Sequence, residues 1–301
     1  MKWTPGRRSA NLEDRRGASS GGGAGGGFGF GGGGGGGGGG FGGGKLGLGG
    51  LVVLVVLSLV FKQDFLGLAG GGAALPPAGA EQQAAALDDP REEPLVQFVS
   101  FLLDDTQGFW QRALAAEGLT YRDARLVLFR DQTSTACGAG EAATGPFYCP
   151  GDERVYIDLA FFDELRRRFQ APGEFAQAYV LAHEIGHHVQ HVLGTSTEVR
   201  RAQQRAGQAQ GNALSVRLEL QADCYAGVWA ADVARKGSLD PGDTEEGLAA
   251  AAAVGDDRLQ KMSTGRVAPE SWTHGSSAQR MEWFTRGFRE GTRSACDTFS
   301  R

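Results

Sequence analysis

The stretch Val180 to Gly194, VLAHEIGHHVQHVLG, holds four of the five histidines in a chain of 301 residues, and a glutamate directly follows the first of them. A helix advances about 100° per residue, so with His183 at zero, His187 falls near 40° and Glu184 near 100°. His183 and His187 therefore project side by side, one turn apart, with Glu184 on the adjoining edge. H-E-x-x-H is the spacing in which two imidazoles hold zinc and the glutamate handles water. Zinc brings the pKa of water toward neutrality and polarises a carbonyl. Glu184 is the candidate base, taking the water proton and delivering it to a leaving amine. His188 falls near 140°. His191 falls near 80°, two turns along. A ligand pair of His187 and His191 would put His188 where the base belongs, so both are read as surface or supporting residues.

A single catalytic zinc takes three protein ligands and keeps one open position. The segment RLELQADCYAGVWA, Arg217 to Ala230, places Glu219 and Asp223 four residues apart on one face of a largely apolar helix. Buried carboxylates need a cation or hydrogen-bond donors. Zinc serves Glu219, and the N–H of a zinc-bound imidazole serves Asp223. Cys224 points about 140° away from Glu219. His274, in SWTHGSSAQR, is the remaining histidine. It is expected to donate a hydrogen bond to a tetrahedral oxyanion, or to cap the following helix, a task Ser276 or Ser277 would also perform.

These residues sit in a part of the chain with globular composition, residues 94–301. Apolar residues at 95, 98, 99, 102, 103, 109, 110 and 114 have helical spacing. RLVLF (125–129) and RVYID (154–158) are strand candidates, the second expected as an edge strand beside the histidine helix, open to strand addition by a peptide. LAFFDELRRRF reads as a helix ending before Ala171-Pro172-Gly173. The histidine helix runs from about Glu174 to Leu193, with Gly194 placed to end it. A polar, Gln-rich segment follows. Further helices span about Ala213 to Arg235, start near Thr244, and close the chain after SWTHG. The class is α+β, mostly helical with a small early sheet.

The front of the chain differs. Glycine reaches 50 residues, most of them before residue 80. Residues 1–45 read as a basic, Gly-rich disordered segment, because side chains this small cannot offset ordering entropy. Residues 46–66 carry the apolar run LGLGGLVVLVVLSLVF and read as one transmembrane anchor. Residues 67–93 read as a flexible linker. Lys2, Arg7, Arg8, Arg15, Arg16 and Lys45 precede the run against Glu13 and Asp14, which puts the N-terminus in the cytoplasm and the later domain outside. All four cysteines fall in that domain, as suits disulfides outside the cytoplasm. Cys137 and Cys149 flank one loop and pair most economically, which leaves Cys224 with Cys296. A net charge of −5 without lysine runs speaks against nucleic acid as a partner.

HEIGHH, followed some thirty residues later by ELQADCYAGVWA and then by THGSSAQR, resembles the YpfJ-like neutral zinc metallopeptidases. RRSANLEDRRG (7–17) and GPFYCP (145–150) resemble that family too. The resemblance implies a membrane-anchored, gluzincin-like peptidase acting on a peptide or protein. It also implies His183, His187 and Glu219 as ligands and Glu184 as base. Two rivals are a non-catalytic, zinc-stabilised binding domain outside the cytoplasm and a zinc amidase acting on cell-wall peptide. Glu184 favours an enzyme, since a purely structural zinc has no use for a base beside an open position.

Overall fold

In the computed structural model, which describes residues 1–17, 91–141, 145–167 and 173–300, helix α1 (Glu93–Ala116) turns Val96, Val99, Leu102, Leu103, Trp110 and Leu114 inward. That is the one-stripe burial its spacing predicts. Strands β2 (Arg125–Phe129) and β6 (Arg154–Asp158) pair in parallel, with Leu126 opposite Val155 and Leu128 opposite Ile157. β5 (Phe147–Cys149) adds antiparallel to the far side of β6. Leu126, Leu128, Val155 and Ile157 enter the main core, while Val127, Phe129 and Tyr156 form a smaller cluster on the other face with Cys149. A hairpin, β3 (Gln132–Thr135) and β4 (Gly138–Glu141), meets Phe147 beside that cluster. The hairpin needs Gly140, since a Cβ there would come within 2.6 Å of the Phe147 ring. Burial on both faces explains why RLVLF is continuously apolar rather than alternating.

The helices follow. They are α2 (Ala160–Arg167), α3 (Glu174–Val192), α4 (Thr195–Gln203), α5 (Gln208–Arg235), α6 (Asp243–Ala253), α7 (Asp256–Thr264) and α8 (Ser277–Glu290). Gly194, at φ 82°, ends α3 in the left-handed region where glycine is favoured. Ser276 and Gln279 close a capping box at the start of α8. Small residues let α3, α5 and α8 approach closely. A Cβ on Gly186 of α3 would lie 3.0 Å from the Ala222 carbonyl of α5. One on Gly227 of α5 would lie 2.1 Å from the Phe284 carbonyl of α8. Disulfides join Cys137 to Cys149 and Cys224 to Cys296.

The α+β class, mostly helical with a small sheet, is the observed one, and several details differ from the sequence reading. β6 is not an edge strand: β2 and β5 flank it, and the outer strand on that side is β5. The polar, Gln-rich segment, given no helix in the sequence reading, contains α4 and the first turn of α5. The loop between Cys137 and Cys149 contributes β4. Residues 1–17, assigned to a disordered tail, are ordered within the folded domain. They form β1 (Leu12–Asp14), parallel to β2 at the outer edge of the sheet, with Leu12 opposite Leu126. The candidate membrane span and residues 67–90 of the expected linker lie outside the described residues, and the last of the linker is not irregular, since Glu92 caps α1 and Glu93 begins it. Among the described residues, no helix is long and apolar enough to cross a membrane.

Candidate metal centre

The Gly186–Ala222 contact sets the distance between α3 and α5 and brings their polar stripes face to face. From α3 come His183, Glu184 and His187, and from α5 come Glu219 and Asp223. His183 Nε2 lies 3.2 Å from Glu219 Oε2, and His187 Nε2 lies 3.4 Å from Glu219 Oε1. One ligand atom from each of the three residues lies within 4.8 Å of the others. Two imidazole nitrogens and one carboxylate oxygen form a three-ligand set that suits a catalytic zinc with one position left open. The donor set therefore fits the metal that the sequence implies.

Hydrogen bonds hold both imidazoles by the nitrogen that faces away from the centre. The Nδ1–H of His183 donates to Asp223 Oδ1 at 2.8 Å, and that of His187 donates to Gln190 Oε1 at 2.9 Å. This tautomer leaves both Nε2 lone pairs for a cation. Gln190 is itself held. Its Nε2–H groups donate to the Leu218 carbonyl at 2.7 Å and to Gln221 Oε1 at 3.1 Å, and Gln221 donates to the Cys296 carbonyl. The Cys224–Cys296 disulfide thus sits at the far end of a hydrogen-bonded chain from His187.

Asp223 is fully buried and has three partners besides solvent-free packing: His183, the Tyr179 hydroxyl and Arg280 of α8. Arg280, 3 % exposed, reaches both carboxylate oxygens. Burial pushes the Asp223 carboxyl up, and the charges of Arg280 and His183 override it, holding the group below the usual carboxylate range. At His183 burial pushes the imidazole down, yet Asp223 and Glu219 carry it up to about 9. The carboxylates of Asp223 and Glu219 thus favour positive charge at His183. Burial raises the Glu184 carboxyl above its ordinary value, the direction expected of a base working near neutral pH.

His274 lies on the loop before α8, its side chain 50 % exposed. Its Nδ1 faces Asp256 Oδ1 at 3.2 Å, and Asp256 Oδ2 accepts the backbone N–H groups of Thr273, His274 and Gly275. Burial lowers the imidazole pKa, and the carboxylates of Asp256 and Glu219 outweigh it and hold it raised. Capping of α8 falls to Ser276, so His274 is not needed for that task.

The remaining histidines are structural. His188 is not a surface residue: it is fully buried. Its Nδ1 accepts the Tyr148 hydroxyl at 2.9 Å and its Nε2–H donates to the Arg122 carbonyl at 2.6 Å, tying α3 to the sheet. His191 faces Glu153 at 3.4 Å. Four supporting residues escaped the sequence reading: Tyr179, Gln190, Asp256 and Arg280. Tyr179 precedes His183 by four positions and Gln190 follows His187 by three, so helical spacing could have exposed both.

The chain matches the family model described as "Putative neutral zinc metallopeptidase" over residues 1–299. It is 45 % identical over 303 residues to the uncharacterized protein YpfJ of Escherichia coli (strain K12), covering 100 % of this chain and 99 % of that one. It is 50 % identical over 191 residues to the uncharacterized protein Rv2575 of Mycobacterium tuberculosis (strain ATCC 25618 / H37Rv), covering 60 % of this chain and 64 % of that one. No solved structure matches it. With its paired histidines, its glutamate from the neighbouring helix and this full-length match, the chain belongs to the family that this model describes.

Proposed function

We propose that this protein is a zinc-dependent endopeptidase. The observation that carries the reading is the convergence of His183, His187 and Glu219 with Glu184 on the same turn as the first ligand. Zinc held by these three residues would acidify water and polarise the scissile carbonyl. Glu184, 7 % exposed, takes the proton from water and passes it to the leaving amine nitrogen, which completes cleavage of the C–N bond. His274, anchored at Nδ1 by Asp256 and kept protonated by the neighbouring carboxylates, donates its Nε2–H to the oxyanion. Asp223 and Gln190 hold the two ligand imidazoles in one tautomer throughout. Both disulfides support a location outside the cytoplasm.

The test is cleavage of an unfolded protein by the zinc-loaded full chain beside its Glu184→Gln variant, with zinc content measured in both. Cleavage by the first alone, at equal zinc, is the expected result. Cleavage by both removes Glu184 from the role of base. If neither cleaves while both hold one zinc, a non-catalytic binding domain gains ground. Turnover of a cell-wall peptide amide but not of protein would favour the amidase. Glu219→Ala should lose most of its zinc, and full occupancy there would remove it from the ligand set.

A further inference from the structure

Residues 1–17 and the domain beginning at Arg91 are separated by residues 18–90, yet together they build one sheet. The pairing is a true ladder. Leu126 N–H donates to the Asn11 carbonyl at 2.9 Å, Arg15 N–H donates to the Leu128 carbonyl at 2.7 Å, and Leu12, Glu13 and Asp14 stand opposite Leu126, Val127 and Leu128. Side chains extend the attachment. Trp3 packs on Phe98 of α1 with ring centroids 5.1 Å apart, Met1 is buried in the core, and Ser9 bonds to Ser100 and Asp104.

The charges behave in the same way. The basic residues near the N-terminus would normally mark it as cytoplasmic. Here Arg16, 5 % exposed, pairs with Asp14 and with Glu92 of the later domain. Arg8 pairs with Asp14 and Glu93, and Arg15 with Glu13. Three of the arginines that define the bias are thus neutralised inside the folded unit. Strands in a sheet lie about 4.8 Å apart, whereas the hydrocarbon core of a bilayer is about 30 Å thick. A strand cannot pair with its neighbour across that distance.

We infer that residues 1–17 share one side of the membrane with the metal-bearing domain, outside the cytoplasm, and that they are an integral part of its fold. The single-pass arrangement with a cytoplasmic N-terminus, expected from sequence, is incompatible with this sheet. The family match, which begins at residue 1, agrees with a domain that includes this segment. The inference does not depend on catalysis.

Thr4 and Ala115 are both exposed, and the native cysteines are paired in disulfides. The full-length variants Thr4→Cys and Ala115→Cys, each expressed in bacterial cells, would be treated with a membrane-impermeant maleimide on intact spheroplasts and again after lysis. Equal labelling of both before lysis is expected. Labelling of Ala115→Cys alone before lysis, with Thr4→Cys reached only afterwards, would overturn the inference. Protection of both until lysis would uphold the shared side and overturn its assignment outside the cytoplasm.

Discussion

Arg280 grips the Asp223 carboxylate with two nitrogens, Nε to Oδ2 at 2.8 Å and Nη2 to Oδ1 at 2.9 Å, while the same Oδ1 receives the Nδ1–H of His183. Removing the guanidinium leaves a buried, uncompensated charge, a change that costs about 3–5 kcal/mol. The loosened His183 should weaken metal binding about 10- to 100-fold. Arg280→Gln is therefore expected to melt earlier and to lose zinc to a chelator sooner. Arg280→Lys should rescue little, because a point charge cannot span both oxygens. An Arg280→Gln protein that competes with the chelator as well as the parent does would disprove this link.

Gln190 does for His187 what Asp223 does for His183, through a neutral amide. Gln190→Ala should weaken zinc retention about tenfold, the low end of the range for such supports, with little loss of fold. Chelator competition at fixed pH measures it, and an unchanged zinc affinity would show that His187 is oriented without help.

The loop carrying His274 should depend on pH through Asp256. Burial raises that carboxyl, and the hydrogen bonds and charge of His274 with the Gly275 amide prevail, leaving its folded pKa below the ordinary value. Its stabilisation is complete above about pH 4 and is lost as pH falls through the depressed folded value. His274, raised by Asp256 and Glu219 against its own burial, contributes with the opposite slope: its share is complete below about pH 6.5 and fades as pH rises through its folded value. In zinc-depleted protein, the stability gap between parent and Asp256→Asn should peak between these limits. A gap independent of pH from 3 to 8 (roughly the span of both groups) would sink the pairing.

Gly227 and Gly287 are expected to tolerate no side chain. A Cβ on Gly287 would stand 2.0 Å from the Cys224 carbonyl, as one on Gly227 would crowd Phe284. Overpacking usually costs about 1–3 kcal/mol, and a backbone clash belongs at or above the top of that range. Because α8 carries Arg280, Gly287→Ala should also weaken zinc binding. Denaturant midpoints and chelator competition, measured together, check both effects. A variant with parental stability would show that the crossing can open freely.

The gathering of His183, His187 and Glu219 was legible because helical period fixes it: His183 and His187 share a turn, and Glu219 and Asp223 share a stripe. Strands β2 and β6 were legible as short apolar runs. Arg280, by contrast, is brought to Asp223 by the crossing of α5 and α8, which no local pattern encodes, although the arginine lies within THGSSAQR. Asp256 serves His274 through a loop contact for the same reason. The N-terminal strand was misread because its three residues, Leu12 to Asp14, carry charge and no alternation. They become a strand only because β2 offers an edge.

That edge also has consequences for how the protein assembles. β1 is made first, but its partner β2 begins at Arg125, so the pairing closes a long stretch of chain and must come late on the folding route. Until it does, β2 exposes unpaired backbone N–H and C=O groups along a run of Leu, Val, Leu and Phe, a template on which another copy could pair. A strand translated before its partner thus acts as the last piece fitted, closing the sheet against aggregation.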